Sequence, residues 1–552
     1  MQTRHGNLHL EIQTSRKSPV GLLRTSFRDP DTGQIRHTQH GRITGCTLDQ
    51  LRMLQLAFRE QVVPEDAAEA LRILDNKEYG ASRALLSLAR ALGLHRILYS
   101  RSEAWVECAL AMIVGRIVYQ GSKLGLCNQW ANTSLWELCG VEGRPDVEEH
   151  CYEVLDRLLE RQRAIQKKLA AKHLENGCLV FYDITSSYFE GEYESSKIVR
   201  FGYNRDGKKG HQQVVIGLLC TPEGCPVGCE VFPGNTNDST TVMGKIAELR
   251  EVYGLEKVVF VGDRGMVTAA RLEEIKDVEG LNTISALTHH EILALLKRKL
   301  IEPGLFDERE VVEVFDSDDP QQRYCLCRNP HTAKSETKTR RRLVALTEKG
   351  LQEISAYKRK TTVETLGARV GKLLAKYKVA KFFDWRVEAD PAQKASRAHK
   401  VVWTLREEKI ANEAQLDGCY IVRTDVEPAR LDKDGVVASY KSLANVERAF
   451  RSLKMSHLEI RPVYHKKDER IRAHVFMCTL AYYLQWHMVE RLRPLFDADG
   501  QGKERRWTVQ NVIERLRQIC RNEVELGGIR FHKTTVPDEE QKQILELLEV
   551  TM

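Results

Sequence analysis

Short apolar runs alternate with amphipathic stretches through the middle of the chain. The apolar runs are typical of buried strands and fall at Leu179–Ile184, Gln213–Cys220, Val227–Phe232, Val258–Val261 and Asn282–Ala286. Helical patterns at Ser239–Tyr253 and Thr268–Lys276 separate the last three runs. The first three runs predict an antiparallel meander. The predicted order is therefore three strands, helix, strand, helix, strand.

Two of these strands carry an aspartate towards their end. Asp183 lies at the end of the first strand, and Asp263 follows the fourth strand after Gly262. The element order is that of a ribonuclease-H-like fold, in which the first and fourth strands lie side by side. We therefore expect the two carboxylates to lie close together. Each aspartate alone is a weak signal, because an acid after an apolar strand is common in α/β proteins.

Ser439–Lys454 is predicted to form one amphipathic helix, because it lacks Pro and Gly and separates apolar from polar residues at helical spacing. Its core-facing residues are Val446, Ala449, Phe450 and Leu453. A neighbouring stripe carries Tyr440, Glu447, Arg451 and Lys454. One carboxylate among cations suits a metal or phosphate site. The alternative is an ordinary helix in which Glu447 pairs with Arg451.

The same patterns divide the whole chain into parts. Glu447 lies 184 residues after Asp263, so a large insertion separates the fifth strand from the last helix. The insertion has strand patterns at Val311–Phe315, Arg323–Cys327, Lys381–Val387, Val401–Leu405 and Cys419–Arg423, and a helical pattern at Arg341–Tyr377.

We predict a small β unit (1–45) with a hairpin around Asp29–Gly33, a mainly helical region (46–175), the first core part (176–287), a basic β-rich insertion (288–438), the second core part (439–495) and a helical tail (496–552). The predicted fold class is an α/β, ribonuclease-H-like mixed sheet interrupted by a β-rich insertion, after a mainly helical N-terminal region.

Charge points to one basic block rather than to a basic protein. The chain has 84 Lys and Arg against 77 Asp and Glu, a net charge of +7 that is too small to indicate a partner. Between His331 and Ile410, however, 20 basic residues stand against 9 acidic ones. Such a block suits a polyanionic partner, although a solvated helical face is an equally good explanation.

Cysteine usage and hydropathy indicate the cellular compartment of the protein. The 14 cysteines are scattered without a CxxC pair, and Cys325-x-Cys327 lacks a second half, so neither a zinc site nor another Cys/His metal cluster is expected. The first residues have no apolar signal core, and the apolar helix candidate Cys108–Gly115 is too short to span a bilayer. We expect a reduced cytoplasmic protein without a membrane role.

Three motifs resemble the catalytic segments of bacterial insertion-sequence transposases of the DDE type. They are Asp183-Ile-Thr-Ser, Asp263-Arg-Gly-Met-Val-Thr and Tyr440-x6-Glu447-x6-Lys454. The third is similar to the branch with a Tyr-x2-Arg-x3-Glu-x6-Lys motif, but Leu443 stands where that branch has Arg. The resemblance runs through most of the chain.

The resemblance implies a transposase that cleaves insertion-sequence ends and joins them to target DNA, with a hairpin intermediate in this branch. Asp183, Asp263 and Glu447 would be the catalytic residues and would bind two Mg²⁺ or Mn²⁺ ions roughly 3.5–4 Å apart. The implied partners are double-stranded DNA, as inverted-repeat ends and target, and a second copy of the chain in a synaptic complex. The implied location is the bacterial cytoplasm, in association with the nucleoid. The N-terminal part would bind the ends, and the insertion would help to hold them.

The predicted DNA contacts combine family positions with the basic block. They are Tyr440, Lys454, Arg451, Arg264, Lys338, Arg340, Arg341, Arg342 and Trp403. Arg451 would replace the Arg that is missing at Leu443. Trp403 or Trp385 would stack on an extruded base, although a tryptophan is more often simply part of the core. Further residues that resemble family positions are Arg461, His465, Arg472 and His474, for which a packed, hydrogen-bonded histidine is an equal alternative.

Two other classes of protein fit the same acids. A ribonuclease-H-like nuclease or resolvase would need neither the basic insertion nor the stripe of Tyr440 and Lys454. A non-catalytic DNA-binding descendant of a transposase would keep the fold and lose an acid. All three acids are present, which argues against the second class.

Overall fold

The computed structural model describes residues 8–14, 18–29, 32–60, 71–208, 210–264, 266–267, 269–276, 278–307, 309–356, 361–389, 399–456, 458, 460–461, 463–499, 505–526 and 529–552. The chain forms two compact units. The first contains residues 1–95, 101–154 and 488–552, and the second contains residues 96–100 and 155–487.

The strands of the described residues, in chain order, are β1 (Leu8–Gln13), β2 (Val20–Arg28), β3 (Ile35–Ile43), β4 (Leu71–Glu78), β5 (Leu179–Tyr188), β6 (Gln213–Cys220), β7 (Pro226–Pro233), β8 (Val258–Gly262), β9 (Leu281–Ala286), β10 (Val312–Phe315), β11 (Arg323–Arg328), β12 (Phe383–Ala389), β13 (His399–Leu405), β14 (Cys419–Thr424), β15 (Cys520–Leu526) and β16 (Ile529–Thr534).

The α-helices are α1 (Leu48–Glu60), α2 (Gly80–Ala91), α3 (Leu94–Leu98), α4 (Ala104–Val118), α5 (Lys123–Asn128), α6 (Leu135–Leu138), α7 (Glu153–Glu160), α8 (Gln162–His173), α9 (Asp238–Glu251), α10 (Ala269–Lys276), α11 (His289–Lys297), α12 (Pro330–Ser355), α13 (Val363–Tyr377), α14 (Glu407–Ala414), α15 (Lys433–Lys441), α16 (Leu443–Arg451), α17 (Asp468–Arg491), α18 (Arg493–Ala498), α19 (Val509–Arg517) and α20 (Glu539–Leu547). None of the described helices is long and apolar enough to cross a membrane.

The first unit contains two small antiparallel sheets and a buried helical core. β2 and β3 pair across the predicted turn, so the hairpin is confirmed, and β1 adds a third strand. The second sheet has the order β16-β15-β4. Helix α2 begins against α19 at Gly80, where a Cβ would stand 2.2 Å from the carbonyl oxygen of Leu516. Only glycine fits this close approach of two backbones.

The sequence pattern predicted a purely helical tail. The tail of the chain also contains strands. β15 and β16 form a hairpin between α19 and α20. β15 also pairs with β4, a strand within the region predicted as mainly helical. The two strands lie far apart in sequence, so no local pattern identifies their pairing. The other predicted domain bounds stay predictions.

The second unit is organised by one eight-stranded mixed sheet. Its strand order is β10-β11-β14-β9-β8-β5-β6-β7. β5, β6 and β7 form the predicted antiparallel meander, and β8 lies parallel to both β5 and β9. Helices α9 and α10 follow β7 and β8, as predicted. The predicted neighbourhood of the first and fourth strands is therefore confirmed.

The inserted segment differs from the predicted β-rich domain. All five predicted strands exist, but α12 and α13 are its longest elements. β10, β11 and β14 extend the main sheet beyond β9, because the open edge of β9 offers backbone groups that a further strand can satisfy. Only β12 and β13 form a separate hairpin, which packs with α12 and α13 around a small core of its own.

Helix α12 is fixed to the start of β14 by a buried ion pair. Arg340 donates from Nη1 to Oδ1 of Asp417 at 2.8 Å, and Thr337 donates to Oδ2 of the same carboxylate at 2.6 Å. The next residue, Gly418, has φ +73° and would bring a Cβ to 2.4 Å from the carbonyl oxygen of Asn329. Glycine is thus required where the helix and the strand meet.

Changing Arg340 to Ala should lower the free energy of unfolding by about 2–3 kcal/mol, because Asp417 would lose its buried charged partner. The matched control is Arg341→Ala on the same helix, which is exposed and should change stability by less than about 0.5 kcal/mol. Urea unfolding followed by circular dichroism measures both. Equal effects of the two variants would show that the ion pair does not hold the helix.

Candidate active site

Asp183 and Asp263 lie side by side at the same edge of the main sheet. Parallel β5 and β8 pair Tyr182 with Gly262, so Asp183 is the next residue within β5 and Asp263 is the first residue after β8. Adjacent strands lie about 4.8 Å apart, which places the two carboxylates at neighbouring positions. The backbone N–H of Ile184 donates to Asp183 at 2.7 Å, and that of Arg264 donates to Asp263 at 2.7 Å.

The pKa of the Asp183 carboxyl group is raised by its surroundings. Burial is the largest cause and raises the pKa of Asp183 to about 7, while the hydrogen bond from Ile184 lowers it. The negative charges of Asp263 and Glu447 raise the pKa further, and the positive charge of Arg205 lowers it. Glu447 therefore lies within electrostatic reach of Asp183, as Asp263 does.

Glu447 comes to this edge on α16, which packs against β5. The helix buries Leu443, Val446, Ala449 and Phe450 and leaves Glu447 exposed. The prediction of one continuous helix from Ser439 to Lys454 is wrong. α15 ends at Lys441, α16 begins at Leu443, and a π-helical turn covers Ser452–Ser456. Tyr440 and Lys454 thus lie on separate segments on either side of the helix that carries Glu447.

Tyr440 contacts one of the acids directly. Its hydroxyl donates to Oδ1 of Asp263 at 3.1 Å. Burial and the charge of Asp263 raise the pKa of Tyr440 to about 12, so the phenol stays a neutral donor. In this structure, Tyr440 orients a carboxylate, a role that the sequence did not predict.

Lys454 reaches the same strand as Asp183. Its ammonium group donates to the hydroxyl of Thr185, two residues after Asp183, and to Oδ1 of Asp206 at 3.0 Å. Burial lowers the pKa of Lys454, while Asp206 opposes that effect. Lys454 is therefore held beside the acids by two oxygen partners.

Sequence reasoning missed the contribution of the segment 203–208. Asp206 accepts from Lys454 and also from Nη1 of Arg461 at 3.1 Å. The guanidinium group of Arg461 lies 4.4 Å from the ring centroid of Tyr188 at the end of β5. Arg205 forms an ion pair with Asp238 and, through its backbone N–H, a 3.0 Å hydrogen bond to Ser186. The run Asn204-Arg205-Asp206-Gly207-Lys208 was the available signal, because it places charges in a turn close to the strand in sequence.

The three acids suit a divalent metal by their donor set. Within the described residues, no Lys, Arg or His side chain forms an ion pair with Asp183, Asp263 or Glu447. Carboxylates that lie close together without an ion pair repel one another, and hard cations such as Mg²⁺ or Mn²⁺ prefer oxygen ligands. The residues present therefore fit the predicted ions, and Asp183, Asp263 and Glu447 would hold them.

The other cationic side chains near the three acids are exposed to solvent. Arg264, Arg448 and Arg451 are exposed, and Leu443 is buried. Neither Glu447 nor Arg451 forms an ion pair within the described chain, so the Glu447–Arg451 pair of an ordinary helix is not made here.

The basic helix α12 carries both exposed and buried cationic side chains. Lys338, Arg341 and Arg342 are exposed, whereas Arg340 is buried against Asp417. The prediction that Arg340 contacts DNA is therefore corrected, because its guanidinium group is used within the fold. A cleft of about 590 Å³ is lined by α12 together with Arg264 and residues of the inserted segment that include Lys378 and Lys381.

Trp403 packs against the core of the inserted segment, together with residues of α12 and α13. Trp385 stands opposite Trp403 in the β12–β13 hairpin and is the more accessible of the two, at 37% exposure. For Trp403, this favours the core alternative over base stacking.

Of the further family positions, His474 and Arg472 are held inside the fold. His474 is buried, with Nε2 3.0 Å from the carbonyl oxygen of Ile460, and Arg472 donates to the carbonyl of Val231. The packed, hydrogen-bonded alternative thus describes His474. His465 lies against it, with ring centroids 5.6 Å apart.

The prediction that the chain has no Cys/His metal cluster is wrong. His173, Cys225 and His487 meet in the second unit, with their candidate ligand atoms within 4.8 Å of one another. They are far apart in sequence, so no spacing motif could identify them.

Comparison with known proteins identifies the family of the chain. Residues 177–484 match the family described as "Transposase DDE domain", a match that covers more than half of the chain and includes β5, β8 and α16. No curated protein matches the chain. The chain therefore belongs to the transposase DDE domain family.

Proposed function

We propose that this transposase cleaves insertion-sequence ends and joins them to target DNA by metal-dependent phosphoryl transfer, through a hairpin intermediate. The observation that carries the proposal is that Asp183 and Asp263 occupy neighbouring positions on paired strands, with Glu447 on the adjacent helix α16, and that none of the three forms an ion pair within the described residues. A fold that needed these acids only for stability would pair them, because clustered unpaired carboxylates are destabilising.

Asp183, Asp263 and Glu447 would hold two Mg²⁺ or Mn²⁺ ions. When bound, such ions supply an activated water or hydroxyl group and stabilise the charge on the departing oxygen. The protein's own contribution is to hold the carboxylates in place. The Ile184 N–H fixes Asp183, while Tyr440 and the Arg264 N–H fix Asp263.

Lys454 would contact the DNA phosphate next to the reacting bond. Its ammonium group lies beside Thr185, on the strand that carries Asp183, and beside Asp206 in the turn 203–208. Lys454 follows α16 in the chain, whereas Tyr440 precedes that helix on α15. Asp206 shares its other oxygen with Arg461, so a phosphate that displaces Asp206 would meet two cations at once.

Arg451 would replace the arginine that is missing at Leu443. It lies one helical turn after Glu447 on the same face of α16, it is exposed, and it forms no ion pair with Glu447. A guanidinium group has the reach and the planar donor pair to bind phosphate oxygens. Arg448 is also exposed but points about 100° away from Glu447 around the helix.

The path of the DNA would lead from the acids along the inserted segment. Arg264 follows Asp263 and lines a cleft shared with α12, whose exposed cations are Lys338, Arg341 and Arg342. If the hairpin contains an extruded base, Trp385 offers the accessible ring for stacking. A second copy of the chain would complete the synaptic complex.

Replacing the acids one at a time, as Asp183→Asn, Asp263→Asn or Glu447→Gln, should reduce cleavage roughly 10³-fold or more, because each removes a metal ligand worth several kcal/mol. Binding of the ends should persist. The assay uses purified protein, Mg²⁺ and linear DNA with both element ends, scored for nicks, hairpins and joined products.

The exposed acid Glu256→Gln is the control and should react at the wild-type rate. Nicks without hairpins or joined products would instead identify a nuclease or resolvase. Binding without any cleavage by the wild type would identify a non-catalytic descendant.

Replacing Lys338, Arg341 and Arg342 together with Ala should weaken DNA binding and lower the slope of log affinity against log salt by about one unit for each lost phosphate contact. The comparison variant replaces Lys349, Lys372 and Lys376, which lie on α12 and α13, so that the net charge changes equally. An unchanged slope in the first variant would show that this surface is only solvated.

Arg451→Ala should leave end binding largely intact but slow hairpin formation and joining, because phosphate contact would be lost next to the metals. Arg448→Ala is the matched control from the same helix and should have little effect. Single-turnover rates on pre-bound DNA ends separate the two steps. If Arg451→Ala reacts at the wild-type rate, the enzyme works without a contact at the position of Leu443.

A further inference from the structure

Three side chains with soft or intermediate donor atoms meet away from the acids. His173 is the last residue of α8, Cys225 follows the turn between β6 and β7, and His487 lies on α17. Their candidate ligand atoms are all within 4.8 Å of one another. Cys225 is buried, and the two histidines are half-buried. Three separate elements thus contribute one donor each.

The donor set selects zinc over the ions that suit the acids. One thiolate and two imidazoles are typical Zn²⁺ ligands, with bonds of about 2.3 Å to sulfur and 2.0–2.1 Å to nitrogen, whereas Mg²⁺ prefers oxygen. Those bond lengths place the tetrahedral ligand atoms of one thiolate and two imidazoles roughly 3.3–3.6 Å apart. Side-chain movements of about 1 Å would therefore close the cluster around an ion.

Aromatic neighbours hold the two imidazoles in position. The hydroxyl of Tyr483 lies 3.0 Å from Nε2 of His173, and the Tyr483 ring packs on His173 and His487 with centroids 5.6 and 4.6 Å away. Trp486 packs edge-on against His487.

The turn that carries Cys225 also supports the helix of the third acid. Asn445, two residues before Glu447, donates from Nδ2 to the carbonyl oxygen of Pro222 at 2.8 Å. Gly224 has φ +91°, and a Cβ there would stand 3.1 Å from Cβ of Asn445. From the other side, Nε1 of Trp486 donates to the carbonyl oxygen of Glu223 at 3.3 Å. The turn is thus enclosed between α16 and α17.

We propose that His173, Cys225 and His487 form a structural Zn²⁺ site that fastens the β6–β7 turn to α8 and α17 and so supports the helix that carries Glu447. Three protein ligands leave one position for water or for the neighbouring Tyr483 hydroxyl. The site is separate from the carboxylates, so the proposal stands independently of the proposed function.

The first test measures zinc in the protein of 552 residues, purified without a metal-affinity step and dialysed against zinc-free buffer that contains Mg²⁺. Elemental analysis should find one zinc ion per chain in the wild type. Cys225→Ser and His487→Ala should lose it, whereas His487→Cys, which restores a zinc ligand, should keep it. Cys178→Ser is the matched control for a half-buried thiol outside the cluster and should also keep its zinc.

The second test needs no variant and therefore does not depend on whether the variants fold. Zinc K-edge X-ray absorption of the wild type should give a first shell with one sulfur and at least two nitrogen neighbours. Removing zinc with a chelator should lower the melting temperature by several degrees, and adding Zn²⁺, but not Mg²⁺, should restore it. A wild-type protein without zinc, or with a first shell that lacks sulfur, would overturn the proposal.

Discussion

The parallel pairing of β5 with β8 is the constraint on which the rest of the second unit depends. It places Asp183 and Asp263 at neighbouring positions, where their negative charges repel each other. Burial raises the pKa of Asp183 to about 7. Repulsion of this kind is unfavourable for the metal-free fold. The arrangement therefore requires rigid support from surrounding elements, and the sheet provides it through strands on both sides of the pair.

That support comes from polar contacts that end on the acids or on their strand. Tyr440 donates to Asp263 from α15, and Lys454 donates to Thr185 from the turn after α16. The break at Ser442 allows both: in one straight helix, Tyr440 and Lys454 would lie on one stripe and face the same way. Because of this break, the residues on either side of Glu447 make different contacts. Lys454 contacts β5, and Tyr440 contacts Asp263 at the end of β8.

The sequence predicted the strands and the acids because both depend on local information. Apolar runs predict β5 to β9, but β5 continues to Tyr188, so that Asp183 lies within its strand and not at its end as predicted. The burial of Arg340 and the meeting of His173, Cys225 and His487 depend on partners 52 to 314 residues away, which no periodicity reveals. The break at Ser442 lacks Gly or Pro, so the usual stop signals were missing.

The inserted segment is more tightly coupled to the acids than an appended domain would be. β14 pairs with β9, and β11 pairs with β14, so the hydrogen bonds of one sheet run from β5 to the strand that leads into α12. Helix α12 starts at Pro330, directly after β11. The Arg340–Asp417 ion pair also fastens this helix to the start of β14. A phosphate contact of the proposed kind on Lys338 or Arg341 would therefore be made from a helix that is fixed to the sheet at β11 and at β14. Because a sheet resists bending between adjacent strands, DNA held by α12 would be positioned against Asp183 and Asp263 without the need for a flexible linker to close.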